Sequence, residues 1–106
     1  MEISDEHIKI SIFLKFKKRL LANATVSIET IPYGFITIKD FQIWESKNLN
    51  NRLQEFINIK PPARKVFGRW IDRVFVEDES KWHELETRIY DAYCVARNNY
   101  QRKEDK

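Results

Sequence analysis

The residues best suited to chemistry in this chain lie between Lys60 and Val76, in the stretch KPPARKVFGRWIDRVFV. Five cations stand here against a single acid, Asp72. These cations are Lys60, Arg64, Lys65, Arg69 and Arg73. Ammonium and guanidinium groups neutralise phosphate, and one arginine can donate to two phosphate oxygens at once. The stretch therefore predicts a surface that binds a phosphate backbone, with Arg64 and Lys65 at its centre.

Three other cations can extend this surface. Arg69 flanks the same turn as Arg64 and Lys65, and Arg73 and Arg88 join them if the following strand and helix face the same way. The alternative interpretation is an ordinary solvated loop, because lysine and arginine side chains are exposed in most proteins anyway. Composition alone does not separate these two interpretations.

Aromatic residues beside cations can stack on unpaired bases, and Phe67 and Trp70 are placed for this role. Core packing is the favoured interpretation for Trp70, which lies in an apolar run, and for Trp82, which lies on a helical stripe. Phe67 is open between binding and packing, because it adjoins Gly68 in the loop. Phe13 lies on the polar side of its strand, where it indicates a second covered face or a contact between subunits.

The chain contains no residue pattern typical of catalysis or of cofactor binding. His7 and His83 lack the spacing of a zinc-protease motif, and the chain has only two glycines and no phosphate-binding glycine loop. Asp72 is interpreted as a hydrogen-bonded or salt-bridged structural acid rather than as a catalytic partner of Asp40. Cys94 is interpreted as a buried or half-buried thiol. We therefore predict no catalytic residue, no metal, no cofactor and no small-molecule substrate.

The composition indicates a single globular domain. The 106 residues are 42% hydrophobic and 33% charged, and the net charge of +3 is compatible with an anionic partner without identifying one. The single cysteine excludes an intramolecular disulfide and fits a reducing environment. No secretion signal or membrane span is apparent in the sequence. We expect a cytoplasmic protein with one domain over residues 1–106, of which residues 97–106 form a frayed basic tail.

Alternating hydrophobicity predicts the first two strands, and a richness in aromatic and β-branched residues predicts the third. Residues 7–16 and 22–28 each place an apolar residue at every second position, and the basic turn between them favours a hairpin. A turn at Pro32 to Gly34 precedes a third strand at residues 35–44. Its period breaks in the middle, so we predict a bulge near Lys39 and Asp40 that realigns its two halves.

The remaining elements are a loop, two more strands and a helix. Residues 45–52 are polar and rich in asparagine, which predicts a loop, and strands are predicted at 53–59 and 70–76. Asp78 and Glu79 offer a cap and favourable charge for a C-terminal helix with one apolar stripe. The stripe consists of Trp82, Leu85, Ile89, Ala92, Tyr93 and Ala96. The sequence predicts an α+β fold in which a five-stranded antiparallel sheet is followed by a long helix that packs on it.

Several short motifs resemble the SpoVG family, also called stage V sporulation protein G or septation proteins. In chain order they are EISD, LLANATVSI, GFITIKDFQI, INIKPPARK, WIDRVF and RIYDAY. Residues 62–65 stand where the family tends to carry a proline, a serine and two basic residues, and Asp72 resembles the aspartate of its next strand. The chain differs from the family in having KNLNNR instead of a short Asn-Gly turn, Ala63 instead of the serine, and Val76 at a position where proline is common.

The resemblance implies a small bacterial-type protein with a five-stranded sheet and a C-terminal helical segment, which forms a homodimer through strand pairing. It also implies binding of DNA and RNA in gene regulation and cell division. Ala63 removes a hydroxyl group that could have contacted phosphate, and KNLNNR changes the reach of its loop.

Two hypotheses for function follow from these observations. In the first, the chain is a non-enzymatic regulator that binds the phosphate backbone of DNA or RNA. Its binding residues are Lys60, Arg64, Lys65, Arg69, Arg73 and Arg88. In the second, the chain is a protein-interaction module that uses an exposed strand edge or the helix surface without nucleic acid. The basic loop is then ordinary solvated charge.

Overall fold

The computed structural model describes residues 2–4 and 7–104, with side chains described for residues 7–101. In this part of the chain, seven strands connected by turns are followed by one helix. The elements are β1 (Glu2–Ser4), β2 (Ile8–Lys17), β3 (Leu20–Thr30), β4 (Gly34–Asn50), β5 (Glu55–Lys60), β6 (Ala63–Val66), β7 (Arg69–Asp72) and α1 (Glu79–Glu104). The predicted α+β class and the long C-terminal helix are confirmed.

The main sheet is an antiparallel meander of four long strands, β2 to β5, with the short β1 paired to β2 at one edge. The predicted fifth strand at residues 70–76 is wrong as a member of this sheet. Its first residues form β7, which pairs with β6 in a separate two-stranded hairpin. The physical reason lies in Pro61 and Pro62, which end the ladder of β5, and in the tight turn that follows β6.

The predicted bulge in β4 is confirmed. Ala24 pairs with Phe41 and Val26 pairs with Ile38, so one residue of β3 stands opposite both Lys39 and Asp40. Asp40 adopts a left-handed backbone conformation with φ of 73°. The extra residue restores the alternation, which brings Ile38 and Phe41 to the same face of the sheet.

The predicted loop at residues 45–52 is wrong, because β4 continues to Asn50. Glu45 pairs with Ile57 and Asn50 pairs with Glu55, and the register shifts between these two pairs, so this end of the strand is irregular. The turn into β5 is fixed by the Asn50 side chain. Its Oδ1 atom accepts hydrogen bonds from the backbone N–H groups of Arg52 at 3.1 Å and Leu53 at 3.2 Å.

The helix covers one face of the sheet, as its apolar stripe predicts. Five of the six stripe residues are buried, and Trp82 is half-buried with its ring 6.5 Å from that of Phe41. The predicted cap is also present, since the Oδ1 atom of Asp78 accepts hydrogen bonds from the Ser80 hydroxyl and the Lys81 N–H. These two bonds lower the pKa of Asp78. The helix continues to Glu104, through most of the predicted tail.

The opposite face of the sheet is not covered by the helix. The strand registers place one row of side chains across this face, since Phe13 pairs with Asn23, Asn23 with Gln42, and Gln42 with Lys60. Trp44 lies on the same face, two residues beyond Gln42. We refer to this surface as the open face.

Candidate nucleic-acid interface

The basic stretch forms a hairpin of β6 and β7 that is separate from the main sheet. Its two-residue turn consists of Phe67 and Gly68, with φ values of 48° and 78°. Positive φ at both central positions is the geometry of a type I′ turn, whose twist matches that of paired strands. At the base of the hairpin, the carbonyl oxygen of the buried Pro62 accepts a hydrogen bond from the N–H of Arg73 at 2.7 Å. The hairpin is therefore attached at its base, while its strands extend into solvent.

The pairing of β6 with β7 separates the cations that the sequence places side by side. Arg64 pairs with Ile71, Lys65 with Trp70, and Val66 with Arg69. Paired residues share a face and successive residues alternate, so Arg64 and Arg69 lie on one face of the hairpin. Lys65 lies on the other face together with Trp70. All three cations are exposed.

The hairpin face that carries Lys65 and Trp70 is turned toward the open face of the sheet. A cleft of about 400 Å³ lies between these two faces. We call this space the tryptophan cleft. Its lining residues are Gln42, Trp44, Lys60, Pro61, Ala63, Trp70 and Asp72. The predicted burial of Trp70 is wrong, because 70% of this residue is exposed. The apolar run around it is not core, since all four residues of β7 are exposed.

A smaller cavity of about 260 Å³ continues from the tryptophan cleft, with Trp44 and Lys60 lining both. This cavity is also lined by Arg19, whose Nη2 atom donates a 3.3 Å hydrogen bond to the backbone oxygen of Glu45. Trp44 and Gln42 are not among the predicted binding residues, and Arg19 belongs to the basic turn between β2 and β3. Trp44 and Gln42 alternate along the strand with the buried Phe41 and Ile43, so they lie on the opposite face of the sheet. This alternation could have identified them from the sequence.

The other predicted site residues are placed differently. Arg73 is exposed immediately after β7. Arg88 is exposed on α1, where it lines a cleft of about 570 Å³ together with Lys81 and Glu84. That cleft shares no lining residue with the tryptophan cleft. The structure therefore brings Lys60 and Lys65 to one side of the hairpin and Arg64 and Arg69 to the other, and it places Arg88 at a separate site.

Asp72 lies exposed at the rim of the tryptophan cleft. The interpretation of this residue as a structural acid gains no support, since within residues 7–101 no ion pair holds its carboxylate. As an ionised carboxylate it can only accept hydrogen bonds. It therefore adds an acceptor to a cleft whose other polar groups include Lys60 and the Gln42 amide.

Phe67 is fully exposed, at 100% of its reference area, and it occupies a backbone conformation that is unfavourable for a bulky residue. An aromatic residue that is strained and contributes nothing to the core is typical of a contact surface rather than of a folding determinant. Of the two predicted alternatives, packing is not supported, since Phe67 is not covered by any residue that the structure describes. Phe13 is also exposed, on the open face.

Replacing Phe67 by asparagine should stabilise the hairpin by about 1 kcal/mol, because asparagine tolerates left-handed backbone and Asn-Gly is the preferred pair of a type I′ turn. The measurement is hydrogen exchange at the amides of Val66 and Arg69, where protection should rise about fivefold. Phe67→Ala is the matched control, since alanine keeps the strain and should give no gain. Equal protection in the two variants would contradict this explanation.

A cluster of polar side chains around Glu55 holds the helix to the sheet. Arg97 donates to both carboxylate oxygens of Glu55 at 3.1 Å, and the Tyr90 hydroxyl donates to one of them at 3.1 Å. A hydrogen bond with the half-buried Cys94, together with burial, raises the pKa of Tyr90. Because Glu55 begins β5 and its partners lie on α1, this cluster fastens the edge of the sheet to the helix.

Among the side chains of residues 7–101, no three from histidine, cysteine, aspartate or glutamate lie together in a way that could hold a metal ion. In the same part of the chain, no helix combines the length and apolarity that a membrane crossing requires. In comparison with known proteins, no family model matches this chain, and no curated protein and no solved structure is significantly similar to it.

Proposed function

We propose that this protein is a non-enzymatic regulator that binds DNA or RNA through the hairpin of β6 and β7. The observation that carries the proposal is the exposure of Arg64, Lys65 and Arg69 on a two-stranded ribbon that stands apart from the sheet. A ribbon of this kind fits the major groove of B-form DNA, and its cations neutralise phosphates along the groove edges. Lys60 and Arg73, at the two ends of the basic stretch, add positive charge at its base.

The SpoVG-type assignment is part of this proposal and rests on the sequence motifs. A cytoplasmic homodimer formed by strand pairing belongs to it as well. Strand β5 supports such pairing, because within the described sheet it pairs only with β4 and leaves its other edge open. Dimerisation places two basic hairpins on one assembly, and two linked contacts bind a single nucleic acid more tightly than either one alone.

The test is a titration of fluorescent single-stranded and double-stranded DNA and RNA at salt concentrations from about 50 to 200 mM, the range over which phosphate contacts change affinity most clearly. We expect the logarithm of the association constant to fall linearly with the logarithm of the salt concentration. The slope reports the number of neutralised phosphates. Absence of binding at low salt, or binding that does not depend on salt, would contradict the proposal.

A second candidate function is favoured by the apolar residues around the hairpin. Phe67, Ile71 and Phe75 are all exposed, and together with the open edge of β5 they suit a protein partner. The two functions are distinguished by two variants tested in the cell. If neutralising the hairpin cations preserves activity, and a proline at a β5 position whose N–H points away from β4 abolishes it, the protein-interaction function is correct.

A further inference from the structure

We infer that the tryptophan cleft binds one unpaired base of a single-stranded nucleic acid. This inference rests on the proposed function and deepens it, because it adds a site for an unpaired base beside the basic hairpin and names the part of the nucleotide that is recognised. The cleft volume of about 400 Å³ lies within the range of about 300 to 1,000 Å³ that is typical of small-ligand pockets. A base that is paired in a duplex is stacked on its neighbours and cannot enter such a cleft, whereas an unpaired base can.

The stacking surface is supplied by Trp44 and Trp70. Both indoles line the cleft, one from the open face of the sheet and the other from the hairpin. Trp70 is held in place by its pairing with Lys65 in the hairpin, yet most of its surface remains in contact with water. Aromatic side chains in this setting stack on bases of any sequence, and this stacking strengthens binding about tenfold or more for each base.

The polar edge of the base is met by Gln42 and Asp72. The Trp44 Nε1–H donates to the Gln42 Oε1 atom at 3.1 Å, which orients the amide and leaves its nitrogen as a donor. The Asp72 carboxylate supplies acceptors at the same cleft. A carboxylate attracts an exocyclic amino group and repels a carbonyl oxygen, so the cleft favours cytosine, adenine or guanine over thymine or uracil.

The phosphates on either side of the base are met by cations. Lys60 lines the cleft itself, and Arg19 lines the smaller cavity that continues from it past Trp44. A strand that places its base in the tryptophan cleft can therefore run along this path with a phosphate near each cation. A free mononucleotide presents the same base but lacks the second phosphate.

The experiment measures quenching of tryptophan fluorescence by two single strands of seven deoxynucleotides. One strand consists of thymidine throughout, and the other carries cytosine instead of thymine at its centre. For the unmodified protein we expect tighter binding of the cytosine-containing strand. Trp70→Ala should weaken this binding about tenfold or more and change the affinity for a duplex less than about twofold. Trp70→Phe, which keeps an aromatic ring, should retain most of the affinity that Trp70→Ala loses. Asp72→Asn should remove the preference for cytosine over thymine.

Tyr33→Ala is the matched control, since Tyr33 is an exposed aromatic residue at the turn between β3 and β4 and lies outside the cleft. It should leave all affinities unchanged. Salt-dependent binding of the strands that is insensitive to Trp70→Ala would overturn this inference and leave the proposed function standing. Binding of deoxycytidine monophosphate as tight as that of the heptamer would overturn the assignment to a strand. Failure of every nucleic acid to bind would instead overturn the proposed function.

Discussion

Replacing Arg64, Lys65 and Arg69 together by alanine should lower the affinity for double-stranded DNA roughly 100-fold near 0.1 M salt. The same change should make the slope of the logarithm of the association constant against the logarithm of the salt concentration shallower by about 2.7. Each lost phosphate contact removes about 0.9 from this slope. The fold should be retained, because all three side chains are exposed on the hairpin and none contributes to the core. Fluorescence anisotropy across a salt series measures both quantities, and circular dichroism verifies the fold.

The matched control removes the same amount of charge elsewhere. Lys39, Lys47 and Lys81 are exposed and lie outside the hairpin, so their joint replacement by alanine should lower the affinity less than about threefold. Equal losses from the two triple variants would show that binding responds to net charge rather than to a site. Because Arg64 and Arg69 share a hairpin face, the double variant that lacks both should also lose more affinity than the double variant that lacks Arg64 and Lys65.

Replacing Arg52 by alanine should destabilise the protein by about 2 to 3 kcal/mol. Its guanidinium donates to both oxygens of Glu86, at 3.0 and 3.2 Å, and Glu86 is only 2% exposed. These bonds raise the pKa of Arg52 and offset the cost of burying the carboxylate. Loss of one partner of a buried pair costs about 3 to 5 kcal/mol. The expected loss lies at or below the lower end of this range because the Arg52 side chain is 48% exposed and water can enter the gap.

Chemical denaturation gives the free energy of unfolding for this test. The double variant Arg52→Ala and Glu86→Gln should recover part of the loss, since a neutral amide is less costly to bury than an unpaired carboxylate. Lys81→Ala is the control, because its ion pair with Glu84 is solvent-exposed and should change stability by less than about 1 kcal/mol. If the double variant is no more stable than Arg52→Ala, the buried charge is not the cause of the destabilisation.

Much of the fold was predictable because it depends on local periodicity. The alternation in β2 and β3 identifies the buried face directly, and the helical spacing in α1 does the same. The break of period in β4 predicted the bulge at Asp40, since only an inserted residue returns Phe41 to the face of Ile38. The same reasoning failed for residues 45–50, where polar composition concealed an irregular extension of β4 that pairs with β5 at Glu45 and Asn50.

The candidate site was predictable only in its residue types. The sequence indicated a basic stretch with Arg64 and Lys65 at its centre, and the exposure of these cations follows from their chemistry. An apolar run such as the one that contains Trp70 has the same appearance whether it belongs to a sheet or to an isolated hairpin. Burial depends on whether a second layer covers the run, and that layer comes from elsewhere in the chain.

For the stretch from Lys60 to Val76, the sequence by itself determined the concentration of positive charge and the positions of its turns, because proline and glycine restrict or free the backbone locally. Only the tertiary structure decided which cations act together. The register of β6 with β7 placed Arg64 and Lys65 on opposite faces, and the placement of the hairpin beside β4 brought Trp70 to the same cleft as Trp44. Residues 26 positions apart share that cleft because strand pairing and sheet topology are non-local, and no local pattern encodes them.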